Sequence, residues 1–430
     1  MSSREFDLTV FGISGSFGRQ IFRYMIQWWI EDGKQKKIAV AGNVREDLVK
    51  IVRKTASEFN VNLDSVGIIF ADCFNNQSLI SMCQRSRLII NAVGPYDIYG
   101  EPVIRACLKT KTHMIDGTGE PQYAEGMMLK YHEEAKKLGI YFVSGCGWVS
   151  NPPEIGLNIL RDKFGPSLIK SAVGYSAWKN GPHGKAIGYG SLRSIAGMMD
   201  NLERIESTRE TLYKTTAIFE KIMPPIDESE SHGSLPWKHG ELGWCMPIIS
   251  ENTGFAHCSM AWYHETREEK PFQYFEYLVY PQFWRAFFMT IGFKLLLLLL
   301  FLLPSRLLML KFPDLLTLGF FKKYGPSQEQ LDECSVTFTI IGKGWRSKKD
   351  MSQPPNKTVT VAISGPEPLF LISSRCMLHS ALTILEEKDK MPFSGGFYSP
   401  GFAFNQTSLI SRLKKCGIKF DVFDENYNSC

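Results

Sequence analysis

The chain has 430 residues, a length sufficient for two or three domains around a large buried core. Hydrophobic residues make up 44% of it and charged residues 22%, which excludes a wholly disordered chain, a collagen-like repeat and a polytopic membrane protein. The formal net charge of +5 is too small to indicate a nucleic-acid partner, and we expect none.

The cysteines and the N-terminus bear on the compartment. The ten cysteines are scattered, and no two of them have C-x-x-C spacing, so the sequence predicts neither a metal site nor a thioredoxin-like motif. The first residues, Met-Ser-Ser-Arg-Glu-Phe-Asp, contain no apolar signal core. Together these features favour reduced thiols in a cytosol-facing protein.

Predicted strands and helices alternate over the first 147 residues. Amphipathic helices, such as residues 45–58 and 123–138, separate short apolar strands. This alternation predicts an α/β fold with a doubly wound parallel sheet of the Rossmann type, covered on both faces. The predicted strands are residues 6–11, 37–41, 66–71, 88–93, 113–115 and 140–143.

Three glycines follow the first predicted strand and open the first predicted helix. Gly12, Gly15 and Gly18 allow a sharp turn and a close approach of the backbone to a pyrophosphate, which the free N–H groups of a helix N-terminus can bind. Ser14 can add a hydroxyl to the phosphates. Three nearby glycines can also mark a simple tight turn, but the strand and helix on either side favour a nucleotide site.

The ends of the second and third strands contribute to the same predicted site. No carboxylate stands at residues 41–43, where the second strand ends, so a 2′-phosphate could lie near Asn43 and Arg45, which favours NADP over NAD. An exposed position in the first helical turn is an equally good interpretation of Arg45. Asp72 ends the third strand, where it either lies near the adenine or caps the next turn.

The fourth and fifth strands end on the same rim. Because the carboxyl ends of strands face the ligand crevice in such sheets, we expect a short segment after the fourth strand to border the nicotinamide. Its candidate residues are Asn91, Val93, Gly94, Pro95 and Tyr96. Asp116 and Glu120 end the fifth strand on the same rim, but a turn residue and an acid in the first turn of the next helix explain them better than a direct role in chemistry. No catalytic residue is assigned.

The second half of the chain has a less regular pattern and predicts an α+β domain. We expect helices at residues 191–205, 209–222 and 369–387, and strands at 255–263, 272–280, 332–342 and 357–364. Residues 223–243 and 391–404 are expected to be loops. His183 and Lys185 lie in a Gly-Pro-rich stretch where a substrate could bind, although a solvent loop is the simpler interpretation.

An apolar segment interrupts this domain. Residues 286–303 contain one charge, Lys294, and would reach about 27 Å as a helix. This run is followed by a Pro-Ser-Arg break and by a second apolar run that ends at residue 321. Residues 285–323 include six basic residues and one acidic residue. This pattern predicts a helical hairpin within one leaflet or a lipid-droplet monolayer, with its cations at anionic head groups. A buried helix pair or a dimer interface is the alternative.

Several of these stretches occur together in one known family. The chain resembles the saccharopine dehydrogenase-like oxidoreductases, the membrane-associated branch of the saccharopine dehydrogenase family. The matching stretches are Val10-Phe11-Gly12-x-Ser14-Gly15, Ala39-Val40-Ala41-Gly42, Val66-Gly67-Ile68-Ile69, Val93-Gly94-Pro95-Tyr96, Tyr99-Gly100-Glu101-Pro102-Val103-Ile104, Asp116 with Gly119-Glu120-Pro121-Gln122, Leu129-Lys130-Tyr131-His132-Glu133, Lys311-Phe312-Pro313 and Ser399-Pro400-Gly401.

The resemblance, together with the patterns above, implies five parts. They are an NAD(P)-binding Rossmann domain (1–147), an α+β domain in two pieces (148–285 and 324–370), the apolar membrane-associated hairpin (286–323), and a segment returning to the Rossmann domain (371–430). It also implies a membrane or lipid-droplet location, with mitochondrial or other membranes as alternatives. The expected function is an NADP-dependent oxidoreductase acting on a small, lipid-like substrate, since bacterial relatives act on glycolipid precursors. NAD remains possible as the cofactor.

Three departures from the family pattern bear on catalysis. Phe17 stands where the family usually has Thr, Asn43 where it has Arg, and Val149 where it has Asp. They leave open a nucleotide-binding membrane protein that has lost catalysis and acts through partners. A soluble homodimer that uses the apolar segment as its interface is the third hypothesis.

Overall fold

A computed structural model describes residues 4–215, 232–248 and 251–425 of the chain. The strands are β1 Phe6–Phe11, β2 Ile38–Gly42, β3 Gly67–Phe70, β4 Ser86–Asn91, β5 His113–Asp116, β6 Tyr141–Val143, β7 Ile169–Lys179, β8 Ile187–Gly188, β9 Trp237–His239, β10 Gly243–Pro247, β11 Gln273–Tyr280, β12 Phe321–Lys322, β13 Ser335–Gly344, β14 Lys357–Pro366, β15 Gly396–Tyr398 and β16 Lys419–Glu425.

The described α-helices are α1 Ser16–Glu31, α2 Arg45–Glu58, α3 Asn76–Arg85, α4 Tyr96–Thr110, α5 Pro121–Leu138, α6 Asn151–Phe164, α7 Tyr189–Asp200, α8 Leu202–Thr215, α9 Glu251–Arg267, α10 Phe283–Phe301, α11 Leu303–Lys311, α12 Pro313–Leu316, α13 Gln328–Asp332, α14 Ser373–Glu387, α15 Pro400–Ala403 and α16 Leu409–Lys415. A π-helical turn, Pro368–Ile372, precedes α14, and 3-10 turns occupy Lys348–Ser352 and Lys388–Lys390.

The first sheet has seven parallel strands in the order β15-β6-β5-β4-β1-β2-β3. Its central strands are apolar on both faces, and α1 buries Phe22, Met25 and Ile26 against it. The predicted doubly wound parallel sheet is therefore confirmed. The strand order reverses between β1 and β4, which creates a crevice at their carboxyl ends.

The C-terminal part of the chain contributes to both sheets. β15 extends the first sheet beside β6, and α14 packs on α1, whereas β16 pairs with β14 in the second sheet. The prediction of a loop over 391–404 is therefore wrong at β15 and α15. A three-residue strand between glycines has too few residues to show a period. The predicted domain boundaries stay a prediction.

The second sheet is mixed, with the order β16-β14-β13-β7-β11-β10-β9, in which β7 and β11 are parallel. The predicted strands at 272–280, 332–342 and 357–364 are confirmed within a few residues. The prediction of a strand at 255–263 is wrong, because this apolar run belongs to α9. A short apolar run does not by itself distinguish a buried strand from a buried helix.

The remaining differences concern boundaries. α7 ends at Asp200 and α8 begins at Leu202, so the break comes earlier than the sequence predicted, and residues 216–222 of the predicted helix lie outside the described residues. The predicted loop 223–243 includes β9, and residues 223–231 are also outside the described part. The nine cysteines within the described residues are free thiols.

The apolar segment forms α10 and α11, which are separated at the predicted break. One side of the pair packs on α7 through a small core of Leu192, Ala196, Leu300, Met309 and Phe321. The other side exposes large apolar side chains at helical spacing, which we call the apolar stripe: Trp284, Phe288, Ile291, Leu295 and Leu298.

Length and composition permit α10 to cross a membrane, and most of it is exposed. The stretch Pro368–Lys390 meets the same test, but most of it is buried in the core. One cation departs from expectation: Arg306 is buried and pairs with Asp200 of α7 instead of facing head groups.

Candidate cofactor site

The three positions in the turn after β1 are occupied by glycine for different structural reasons. Gly12 has a φ of +100°, and a Cβ there would lie 2.6 Å from Cγ2 of Val93. A Cβ on Gly18 would overlap the Gly12 carbonyl. Gly15 has an ordinary extended backbone, and a Cβ there would meet protein atoms at 3.5 Å or more. The fold thus requires Gly12 and Gly18, whereas Gly15 keeps clear a space at the N-terminus of α1.

This space suits a phosphate. Gly15 and Ser14 are exposed, and the first N–H groups of α1 open onto them. The β8–β12 pair reaches the turn from the second half of the chain, because Cβ atoms on Gly188 and Gly325 would lie 3.7 Å and 3.0 Å from atoms of Ser16. The turn therefore lies where the two parts of the protein meet.

The predicted 2′-phosphate end lies at the carboxyl end of β2. Asn43 and Arg45 are both exposed, and Arg45 begins α2. Next to them, Oδ1 of Asp72 accepts a hydrogen bond from the N–H of Phe74 at 2.9 Å, which is a turn role. Phe74 is 83% exposed and its ring packs edge-on against Tyr99. The sequence did not single out this aromatic pair.

The predicted nicotinamide border follows β4. Asn91 is fully buried, and its Oδ1 accepts a hydrogen bond from the N–H of Val93 at 3.1 Å. Its Nδ2 has no hydrogen-bond partner among the described residues. Tyr96 donates from its hydroxyl to the Asn91 carbonyl at 3.2 Å, and Gly94 and Pro95 lie between them. An unpartnered buried amide N–H is a donor that a bound cofactor or a water can satisfy.

Asp116 and Glu120 are buried carboxylates with protein partners. Asp116 accepts hydrogen bonds from Ser144, Tyr123 and two backbone N–H groups, and burial raises its pKa to about 6. Glu120 accepts from the N–H groups of Tyr96 and Asp97 at 3.0 Å and 2.8 Å, which caps α4. Burial raises the pKa of Glu120 as well. In this structure both carboxylates hold the rim together: Asp116 has a turn role, as its structural interpretation proposed, whereas Glu120 caps α4 and does not lie in the first turn of α5.

Helix α7 covers this rim. Ser194 of α7 donates a hydrogen bond to Glu120 at 2.7 Å. Beneath the helix lies Gln122, which is fully buried and whose amide oxygen and nitrogen both lack a hydrogen-bond partner in the described structure. The sequence gave Gln122 no role beyond the family resemblance. Its signal is weak: a polar residue at the start of a helix that follows a strand of a parallel sheet.

Another buried carboxylate holds the two parts of the chain together. Glu154 of α6 accepts hydrogen bonds from Ser150 at 2.7 Å and from the N–H of Gly401 at 3.0 Å, and Ser259 of α9 bonds its other oxygen. Burial raises its pKa to about 7. The sequence missed this cluster because Ser259 and Gly401 lie 105 and 247 residues from Glu154 along the chain.

The other residues that the sequence singled out have packing roles. The ring of Phe17 packs edge-on against Phe370, so an apolar contact replaces the family's hydroxyl in the turn. Val149 is half-buried. His183 is exposed and hydrogen-bonded to Glu333 at 2.8 Å. Nζ of Lys185 lies 3.2 Å from the centre of the Trp178 ring, and burial lowers its pKa to about 8.

The fold and this crevice define a class of protein. In the part of the chain that the structure describes, no three His, Cys, Asp or Glu residues form a group that could hold a metal ion. A parallel sheet with the order 3-2-1-4-5-6, a glycine turn and a free helix N-terminus at the switch point defines a dinucleotide-binding protein.

Comparisons with known proteins identify the family. Residues 8–143 match the saccharopine dehydrogenase NADP-binding domain, so the cofactor is NADP. The chain is 31% identical to the human saccharopine dehydrogenase-like oxidoreductase, over 98% of both chains. It is 28% identical to the lipid droplet localized protein of Caenorhabditis elegans, over 98% of this chain and 99% of that one. The chain belongs to the saccharopine dehydrogenase-like oxidoreductases.

A solved structure has the same fold. Apo saccharopine dehydrogenase (L-Glu forming) from Saccharomyces cerevisiae superposes with a TM-score of 0.56 at 10% identity, covering 98% of this chain and all of that one. The predicted fold class and family are confirmed.

Proposed function

We propose that the protein is an NADP(H)-dependent oxidoreductase that works on a cytosol-facing lipid surface, with a lipid-like substrate. The observation that supports this most is the crevice at the sheet's switch point, where Gly15 leaves room at the N-terminus of α1. When bound there, NADPH would supply hydride, or NADP+ would accept it. The chain's own residues bind and orient it.

We assign the residues as follows. The N–H groups after Gly15 and the hydroxyl of Ser14 hold the pyrophosphate, and Asn43 and Arg45 receive the 2′-phosphate. Asp72 lies at the adenine end. The segment from Asn91 to Tyr96 borders the nicotinamide, with Nδ2 of Asn91 as a donor toward it. NADPH is preferred, because the first charged residue after β2 is a cation, Arg45, and not a carboxylate.

The apolar stripe supports the lipid surface. Five large apolar side chains on one face of α10 have no cover, and the exposed Leu303, Leu307 and Leu315 continue this surface. The exposed cations Arg285, Lys294 and Lys311 lie along it and suit anionic head groups. A relative is named for lipid droplets. We place the protein on the lipid-droplet monolayer, with mitochondrial and other membranes as alternatives.

Cofactor binding is tested at Gly15. The variant Gly15→Val keeps the fold, because its backbone is extended and its Cβ has room, but the side chain occupies the phosphate space. We expect NADPH affinity, measured by fluorescence titration, to fall at least tenfold. Gly240→Val is the matched control, since Gly240 is an exposed loop glycine with open space around it. Equal NADPH affinity in Gly15→Val and wild type would contradict the proposal.

The lipid surface is tested on the stripe. Changing Ile291, Leu295 and Leu298 to serine removes about 5–9 kcal/mol of apolar burial in lipid, at roughly 1.5–3 kcal/mol for each side chain. We expect the triple variant to stop sedimenting with phosphatidylcholine–phosphatidylserine vesicles and still bind NADPH. Leu129→Ser, at an exposed leucine of α5, is the control. Vesicle binding that survives the triple change would mean that another surface binds lipid, and a wild type that does not bind vesicles would leave the dimer-interface alternative.

Turnover separates an enzyme from a degenerate binding protein. The oxidation of NADPH by the vesicle-bound chain is followed by absorbance at about 340 nm, with a series of long-chain aldehydes and ketones as substrates. NADPH binding without any turnover would favour the alternative, a nucleotide-binding membrane protein that acts through partners.

A further inference from the structure

Beneath α7 lies a buried side chain whose polar atoms lack hydrogen-bond partners among the described residues. Gln122 is 0% exposed, and both its amide oxygen and its amide nitrogen lack a hydrogen-bond partner among the residues described. Two unsatisfied polar atoms on one buried side chain are costly unless a ligand or a water pairs with them. Gln122 is the second residue of α5, on the rim where β5 ends, so this group lies at the crevice.

Helix α7 separates this amide from the lipid-facing helices. On its inner side, Ser194 bonds Glu120, and a Cβ on Gly197 would lie 3.7 Å from Nε2 of Gln122. On its other side, Leu192 and Ala196 pack in one core with residues of α10 and α11. Asp200, the last residue of α7, pairs with the buried Arg306 of α11. The same short helix therefore contacts the rim of the crevice and the base of the apolar stripe.

We propose that the substrate's polar head binds the Gln122 amide beneath α7, while its chain leaves between α7 and the lipid-facing helices α10 and α11. The proposal rests on the proposed function and names its substrate site. An amide offers one acceptor and two N–H donors, so it matches a hydroxyl or carbonyl head. The apolar core of α7, α10 and α11 suits an alkyl chain. The substrate class is a long-chain alcohol or its carbonyl counterpart, which reaches the crevice from the lipid side.

The test uses photo-crosslinking of the full chain on phosphatidylcholine–phosphatidylserine vesicles with NADPH bound. The probe is a C16 alcohol with a diazirine in the chain and a terminal alkyne. We expect mass spectrometry to find labelled peptides from α7 or the start of α5, in addition to bulk labelling of α10. An excess of hexadecanol should displace the α7 and α5 labelling, and hexadecane should not.

Two variants locate the head group. Gln122→Leu should reduce α7 and α5 labelling at least fivefold, with labelling of α10 unchanged. Its control is Gln77→Leu, because Gln77 is the second residue of α3 and is exposed. If Gln122→Leu fails to fold, Gly197→Ala replaces it: alanine suits a helix, and its Cβ fits the space but fills it above the amide. We expect it to reduce labelling about threefold, whereas Gly190→Ala, in open space on the same helix, should not.

The outcomes are separable. If the wild type does not bind NADPH, the proposed function itself is overturned. NADPH binding with labelling confined to α10 and α11 would overturn the site beneath α7 alone. Equal labelling in Gln122→Leu and wild type, or displacement by hexadecane as effective as by hexadecanol, would overturn the role of the amide.

Discussion

The buried carboxyl of Glu154 should make the folded protein less stable as the pH rises. The carboxyl is 2% exposed, and burial raises its pKa to about 7, from 4.5 in an exposed chain. The folded protein therefore holds this proton more tightly than the unfolded chain does. The associated stability is fully present below pH 4.5 and is lost as the pH rises through 7. At 1.36 kcal/mol per pH unit, the loss amounts to about 3 kcal/mol.

The variant Glu154→Gln isolates this effect. Glutamine is uncharged at every pH; its oxygen can accept from the N–H of Gly401, and its amide can donate to Ser150 or Ser259. We allow about 1 kcal/mol for imperfect hydrogen bonds. At pH 5 the variant should then be about as stable as the wild type, because the wild type has already lost about 0.8 kcal/mol there, and at pH 8 the variant should be more stable by about 2 kcal/mol.

The assay is unfolding in urea, monitored by circular dichroism at about pH 5, 6, 7 and 8. The variant is compared with the wild type at each pH. Asp116, whose pKa burial also raises, gives the wild type a further pH dependence, but that contribution cancels in the difference. Glu134→Gln, at an exposed position of α5, should show no pH-dependent difference. A difference between Glu154→Gln and wild type that stays constant from pH 5 to 8 would refute the reasoning.

Three further changes have distinct expected results. Arg45→Ala should weaken NADPH binding roughly tenfold to a hundredfold and leave NADH binding unchanged in fluorescence titrations, because a charged hydrogen bond to the 2′-phosphate is lost; equal losses would make Arg45 structural. Gly18→Ala should lower the free energy of unfolding by about 1–3 kcal/mol in urea, since its Cβ overlaps the Gly12 carbonyl, and unchanged stability would contradict this close packing. Glu120→Gln should cost about 1–3 kcal/mol and speed hydrogen exchange at one of the Tyr96 and Asp97 amides, because glutamine keeps one acceptor oxygen and loses the other; unaltered exchange at both would mean that another group caps α4.

The sequence predicted the first sheet well because its signals are local. Each strand is a short apolar run followed by an amphipathic helix, and the glycines stand directly after the first strand. What the sequence could not separate was the reason for each glycine. Gly12 and Gly18 touch residues that are close to them only in the folded chain, whereas Gly15 touches almost nothing.

The missed features depend on contacts between distant residues. In the sequence Gln122 is an ordinary helix residue, and only the structure shows that α7 lies over it. Arg306 is likewise a flanking cation in the sequence, and only the structure shows that it pairs with Asp200. The apolar run at 255–263 has no clear alternation, so its helix is decided by packing around α9. Its partners include Ser399 and Phe402, more than 130 residues away.

The strand β15 also determines the order of events during biosynthesis. Its partner β6 leaves the ribosome about 250 residues earlier, so the buried edge of β6 waits on the order of 10–50 s for cover at 5–20 residues per second. The helices α10 and α11 emerge within that interval. The apolar stripe thus leaves the ribosome before either sheet has received its last strand. A chain released early, without residues 396–425, would have one open edge on each sheet.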